Sequence, residues 1–256
     1  MKITLIGSGN VAAHLGLAFR NAGIEIRQVY SRRLPNAQHL AAMVEAEPVT
    51  DLTLIDTSAD FYFIAVADSA IPAVAESMPA VSGVVAHTAG CVSIEALKRF
   101  VSFGSFYPFQ TFTKERKIDF EKIHLLIEGN NYLTEQKLFA VASQLTPFAE
   151  TANAEKRTTL HLAAAFGCNF VNHLYAIAQK ILDEAGLSFD CIKPLIEETA
   201  SKATAIDPVL AQTGPARRGD TGVMQYHLNK LAGKTDLQNI YKLLSDSICS
   251  FEQAAV

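Results

Sequence analysis

The chain has 256 residues, 22 Lys and Arg against 26 Asp and Glu, a net charge of −4 and 49% hydrophobic residues. That length holds one large domain or two smaller ones with a sizeable core. No basic cluster stands out beyond Arg32-Arg33 and Arg217-Arg218, and no apolar run reaches the ~18 residues of a membrane span, which argues against nucleic-acid and membrane partners.

The apolar run Ile3-Thr4-Leu5-Ile6 is too short for a helix and reads as a buried strand. Gly7-Ser8-Gly9-Asn10-Val11-Ala12 follows at once, then Leu15, Leu17, Ala18 and Phe19 at helical spacing, then a second strand from Ile24 to Tyr30. This is a βαβ unit of about 30 residues. Gly7 permits a tight turn, Gly9 lets backbone approach a pyrophosphate, and Ala12 lets the helix pack closely on the strands. The helix start then offers unpaired N–H groups to phosphates. The plain alternative is a structural turn. An NAD site usually carries Asp or Glu about 20 residues on, but here the second strand ends in Tyr30-Ser31-Arg32-Arg33. Two guanidiniums and a hydroxyl suit a 2′-phosphate, so NADP is expected over NAD.

Strand–helix alternation continues through residue 150. Helices are expected over 36–44, from Ala70, over 93–100 and over 133–145. Strands are expected at Pro48-Val49, 60–66, 83–86, 101–106 and 123–128. Asp68 or Ser69 is the expected N-cap of the helix that starts at Ala70. This pattern predicts a parallel, doubly wound sheet with helices on both faces and ligands at the strands' carboxyl ends. That places Val66-Ala67-Asp68 and His87-Thr88-Ala89-Gly90 beside the glycine turn, with Tyr107–Thr111 as a rim.

After Ala152 the strand-like runs stop. Helical stretches over roughly 153–185, 188–205, 220–232 and 235–253 predict an all-helical domain, 153–256, after an α/β domain, 1–152. The long first helix is nearly all apolar around His161 and Asn169. At ~100° per residue, His161, Asn169, Asn172 and His173 share an arc of roughly 120°. Polar groups in a buried stripe need partners. They line a substrate cleft or satisfy one another in a core or dimer interface. His173 and Gln179 read as structural, and Lys156 and Arg157 as solvated charges. Between two later helices, Thr213-Gly214-Pro215-Ala216-Arg217-Arg218-Gly219-Asp220 forms a loop that could bring an arginine to an anion, or simply cap the next helix through Asp220. Cys91, Cys168, Cys191 and Cys249 form no CxxC pair, no zinc ligand set is present, and the chain enters a strand at once. A cytoplasmic protein without signal peptide or metal is expected.

These motifs together resemble a group of Rossmann-type proteins with a helical C-terminal domain of unknown function, named provisionally as NADP-dependent oxidoreductases. The group is related to pyrroline-5-carboxylate reductase and the β-hydroxyacid dehydrogenases. The residues carrying the likeness are Gly7–Ala12, Ile64–Asp68, His87–Gly90, His161 with Asn169, and Thr213–Asp220, the last being the most specific. The resemblance implies that Val66, Ala67, Asp68, Thr88 and Ala89 flank the ribose and nicotinamide, with His87 and Gly90 near the substrate. β-Hydroxyacid dehydrogenases and ketopantoate reductase carry a proton-transferring lysine on the long helix. His161 stands in that place here, with Ala165 and Asn169 one and two turns on. The expected reaction is hydride transfer between NADP(H) and a small carbonyl, hydroxy acid or imine. His161 would be the general acid, Asn169 would orient the substrate, and Arg217 or Arg218 would hold its carboxylate. A homodimer through the helical domain is expected. The other class of function is an NADP-binding regulator or scaffold without catalysis.

Overall fold

A computed structural model describes residues 1–254, with side chains through Phe251. It divides into two compact units, Met1–His173 and Leu174–Val256.

The first unit is built on one eight-stranded sheet. Its elements are β1 (Lys2–Ile6), α1 (Asn10–Asn21), β2 (Glu25–Tyr30), α2 (Leu34–Val44), β3 (Glu47–Val49), β4 (Phe61–Ile64), α3 (Ile71–Ser77), β5 (Val84–His87), β6 (Phe103–Phe109), β7 (His124–Gly129), α4 (Tyr132–Ala142), β8 (Ala149–Thr151) and α5 (Ala154–Ala164). The strand order is β3-β2-β1-β4-β5-β6-β7-β8. The chain winds outward from β1 on one side and then restarts at β4 on the other. A crevice therefore opens at the carboxyl ends of β1 and β4, where doubly wound sheets take ligands.

The sheet is not parallel throughout, in contrast to the expectation from strand–helix alternation. β1 to β6 run parallel, but β7 pairs antiparallel with β6, and β8 runs parallel to β7. The cause is the connection. A parallel step needs a crossover, usually helical, and only a loop with one 3₁₀ turn at Phe120–Lys122 joins β6 to β7. β6 also continues to Phe109, past the expected end at Phe106. Another 3₁₀ turn, Ile94–Leu97, stands where a helix over 93–100 was expected. Neither Asp68 nor Ser69 caps α3. Its N-cap is Ala70, with no side-chain bond, after a 3₁₀ turn over Asp68–Ala70.

Strand alternation splits the core into two layers. Leu5, Phe63 and Phe106 join Leu15 and Phe19 of α1 and Leu138 of α4 on one face. Ile6, Tyr62 and Ile64 join Ile71 of α3 and Leu97 on the other. Phe63 stacks 5.0 Å from Phe19 and lies 4.7 Å from Phe106, an aromatic spine through the first layer.

Asn153 opens α5 by accepting from the Lys156 N–H. The expected unbroken helix over 153–185 is interrupted by a π-helical stretch, Ala165–Phe170, before α6 (Val171–Glu184). Nor is its apolar stripe buried: Leu162, Phe166 and Phe170 are 59%, 64% and 53% exposed. The second unit continues with α7 (Lys193–Ala205), α8 (Pro208–Ala211), α9 (Thr221–Lys230) and α10 (Thr235–Ala254). Among its described residues, Ala216 alone is buried.

Candidate active site

Local sequence shapes the crevice. Gly7 adopts φ +129°, and a Cβ there would lie 2.1 Å from the Ala65 carbonyl oxygen where β4 ends beside the turn. Only glycine fits. At Gly9 no protein atom lies within 4 Å of where a Cβ would stand, so the backbone is open on that side. Gly9 is also the N-cap of α1 and supplies no side-chain acceptor, which leaves first-turn N–H groups free for an anion. Ala12 is fully buried, as expected for close helix packing. One turn later Gly16 does the same work, since a Cβ there would meet Leu5 at 2.9 Å and Val44 at 3.1 Å.

A groove of about 1020 Å³ runs along this edge. It is lined by Gly7 to Val11, by Tyr30 to Arg33 after β2, by Ala65 to Asp68 after β4, and by Thr88 after β5. The structure thus gathers Gly7, Ser8, Gly9, Asn10, Val11, Ser31, Arg32, Arg33, Val66, Ala67, Asp68 and Thr88 into one site. Ala12 and Ala89 are buried and do not line it. Ser8 Oγ donates to Ser31 Oγ at 2.8 Å, tying the glycine turn to the end of β2. Arg33 is the N-cap of α2 at the same end of the groove and makes no side-chain capping bond. Sequence reasoning missed Asn36, Ala73, Val74 and Ser77, which also line it. They sit on α2 and α3 as ordinary helix positions without motif character.

The remaining predicted residues fall elsewhere. His161 is exposed and sits over Gly90, where an added Cβ would meet its Nδ1 at 2.8 Å. Its Nδ1 lies 3.0 Å from Tyr107 Oη. Burial pushes the Tyr107 phenol up to about 12, with the nearby Cys91 and Asp68 adding to the shift. Tyr107 was placed on the rim by sequence, without a role. Among the described residues Asn169 makes no hydrogen bond to His161. It lines a second pocket with Cys168, Asn172 and the loop after β6.

His87, expected near the substrate, does not line the groove. It is fully buried, its Nδ1 accepts from the Ala89 N–H at 3.2 Å, and its Nε2 has no partner. Burial, and then the charge of Arg157, push its pKa down to about 4. Arg157 is equally buried and not solvated: it pairs with Glu128 and donates to the carbonyls of Ala152 and Val92. Lys156 does lie at the surface, paired with Glu150. In the second unit Arg217 donates to the Leu210 and Gln212 carbonyls, folding back on its own loop. Arg218 is exposed, and Asp220 caps α9 through the Val223 N–H. That is the capping alternative for this loop.

An NADP oxidoreductase domain described as coenzyme F420-dependent matches residues 2–90, and a domain of unknown function, DUF2520, matches residues 123–248. A protein from Bacteroides fragilis, provisionally named an NADP oxidoreductase, is 40% identical, with a TM-score of 0.91 over 97% of this chain and 98% of that one. The chain belongs to this NADP oxidoreductase family. Two more distant structures share the fold. An imine reductase from Myxococcus stipitatus, in complex with NADP⁺, is 16% identical with a TM-score of 0.64 over 100% of this chain and 94% of its own. A 1-pyrroline-5-carboxylate reductase from Streptococcus pyogenes is 13% identical with a TM-score of 0.63 over 98% of each chain. No curated protein matches. The oxidoreductase match ends at Gly90, the residue beneath His161, and no helix of the described residues is long and apolar enough to cross a membrane.

Proposed function

We propose that the chain is an NADPH-dependent reductase of a small carbonyl or imine, able in reverse to oxidise the corresponding hydroxy acid or amine. Residues 1–152 would form the dinucleotide-binding domain, and 153–256 would serve substrate binding and dimerisation. The observation that carries this reading is the His161–Tyr107 pair standing over Gly90, at the same sheet edge as the groove.

The groove fits the dinucleotide. The free N–H groups of the first turn of α1 take the pyrophosphate, and the open face at Gly9 admits it. Arg32, Arg33 and Ser31 take the 2′-phosphate, with the uncapped start of α2 beneath them. Val66, Ala67, Asp68 and Thr88 follow the ribose and nicotinamide along the strand ends. Once bound, the nicotinamide supplies the hydride.

The chain's own task is the proton. Tyr107 stays protonated at neutral pH, since its pKa is pushed up to about 12. The phenol oxygen accepts from Nδ1–H of the protonated His161 ring and holds the ring in place, so that the Nε2 proton passes to the developing alkoxide or amine and a neutral imidazole remains. Gly90 lets the ring come this close, because any side chain there would displace it.

Calorimetric titration with NADPH and NADH, side by side, tests the site. Tighter NADPH binding that is lost in the Arg32→Ala/Arg33→Ala variant is the expected result. Equal binding of both nucleotides would remove the 2′-phosphate assignment, and no binding would remove the reductase reading.

A further inference from the structure

The loop after β6 turns outward against the π-helical stretch, and a pocket of about 750 Å³ lies between them. Its lining is almost wholly polar: Arg116 and Lys117 from the loop, the amides of Gln110, Asn169 and Asn172, two threonine hydroxyls and the Cys168 thiol, with Ile118 the single aliphatic side chain. Among the described residues no carboxylate pairs with Arg116 or Lys117. The nearby Asp119 is engaged by Lys122 at 3.2 Å. The sequence pattern hid this cluster, because Glu115 interrupts the basic run Lys114 to Lys117.

Two features show that the pocket is built and not a chance dip between loops. First, the loop is clasped to α1. Asn10 Nδ2 donates to the Phe112 carbonyl at 2.8 Å, and His14 Nε2 lies 2.9 Å from the Thr113 carbonyl. Asn10 also lines the groove, so one side chain ties the groove to the loop that carries the pocket's basic residues. Second, a π-helical stretch carries an extra residue and recurs at functional sites. It rotates the succeeding helical turns by about 100° relative to an unbroken α-helix. Cys168 and Asn169 lie within it and Asn172 directly after it.

We infer that this pocket binds a hydroxylated small acid. Its anionic group, carboxylate or phosphate, sits on Arg116 and Lys117, where a planar guanidinium and an ammonium serve as charged donors. Its hydroxyls meet the three amides and two threonines, which an apolar ligand would leave unsatisfied. That this acid is the substrate rests on the reductase reading above. That an acid binds here does not.

Cys168 reports on the pocket directly. The full-length protein, without nucleotide, is treated with iodoacetamide alone, or in the presence of D-gluconate, glucose 6-phosphate or glucose. Alkylation of each cysteine peptide is followed by mass spectrometry, with Cys91, Cys191 and Cys249 as internal controls. One or both acids should slow Cys168 labelling about tenfold at ten times their Kd, and glucose should not. Whichever acid protects identifies the anionic group. In the Arg116→Ala/Lys117→Ala variant the acids should bind about tenfold more weakly or worse, while NADPH affinity is unchanged. Failure of both acids to protect Cys168, or equal protection in wild type and variant, would overturn the assignment. Protection by the acids without any NADPH binding would retain the pocket and remove the reductase reading alone.

Discussion

Gly7 and Gly9 stand two residues apart and answer to different demands. Gly7 is required by the chain itself, since its positive φ and the Ala65 carbonyl exclude a side chain. Gly7→Ala should therefore cost more than about 3 kcal/mol in urea unfolding. Gly9 faces open space. Gly9→Ala should unfold like wild type and weaken NADPH binding, and a stability loss equal to that at Gly7 would refute the distinction. The proton donor obeys the same logic of separate readouts. His161→Ala should lower turnover by about 10²–10⁴ if His161 is the acid. Tyr107→Phe should keep NADPH affinity, lower kcat by about tenfold and move the pH–rate profile, because it removes the hydrogen bond that holds the acid's ring in place. Unchanged profiles would reduce Tyr107 to packing. Sequence showed His161 by its place on an apolar helix, but gave Tyr107 only a place on the rim, because its strand was expected to end one residue before it. Arg157 was illegible for another reason. Its partner Glu128 lies 29 residues earlier on β7, and nothing local to α5 announces burial.

Among the elements, β1, α1 and β2 could be read almost residue by residue because the glycine turn, the helical spacing and the apolar runs all agree. The reversal at β7 was also written in the sequence, as the absence of a helix between β6 and β7. The π-helical stretch was not, since the residues from Ala165 to Phe170 satisfy either helical period. β5 carries a prediction of its own. Its last residue, His87, stays neutral when folded down to about pH 4, whereas the unfolded side chain takes a proton near 6.5. The unfolded chain thus binds more protons in that window, and stability should fall as pH drops from 6.5 toward 4. From pH 7.5 to 5 the loss from this group is about 2 kcal/mol. Urea unfolding of wild type and His87→Gln at both pH values measures it. A variant with the full wild-type pH dependence would show that other groups carry the loss.

At the level of the whole molecule, the doubly wound sheet and the change of character after Ala152 were legible because both depend on element types alone. What could not be read is how unevenly burial is shared. The first unit closes its own two-layered core, whereas the second has amphipathic helices and one buried residue among those described. Leu195, Leu210, Leu243 and Phe251 of that unit are each more than half exposed. Helices this amphipathic need a surface to bury, and we propose that a second copy of the chain supplies it. Sedimentation should show a dimer that Leu195→Lys/Leu243→Lys dissociates without loss of NADPH binding. A wild-type monomer would remove the proposal.

The missing core then makes survival a matter of abundance. Each tenfold dilution would take about 1.4 kcal/mol from the helical unit and nothing from the sheet. Thermal scans should show one transition that climbs with protein concentration and another that stays in place. In a dilute sample trypsin should consume the helical unit and spare a fragment ending near His173. A cell making few copies would keep the nucleotide-binding half longer than the rest, so expression level itself would set how long the intact chain lasts.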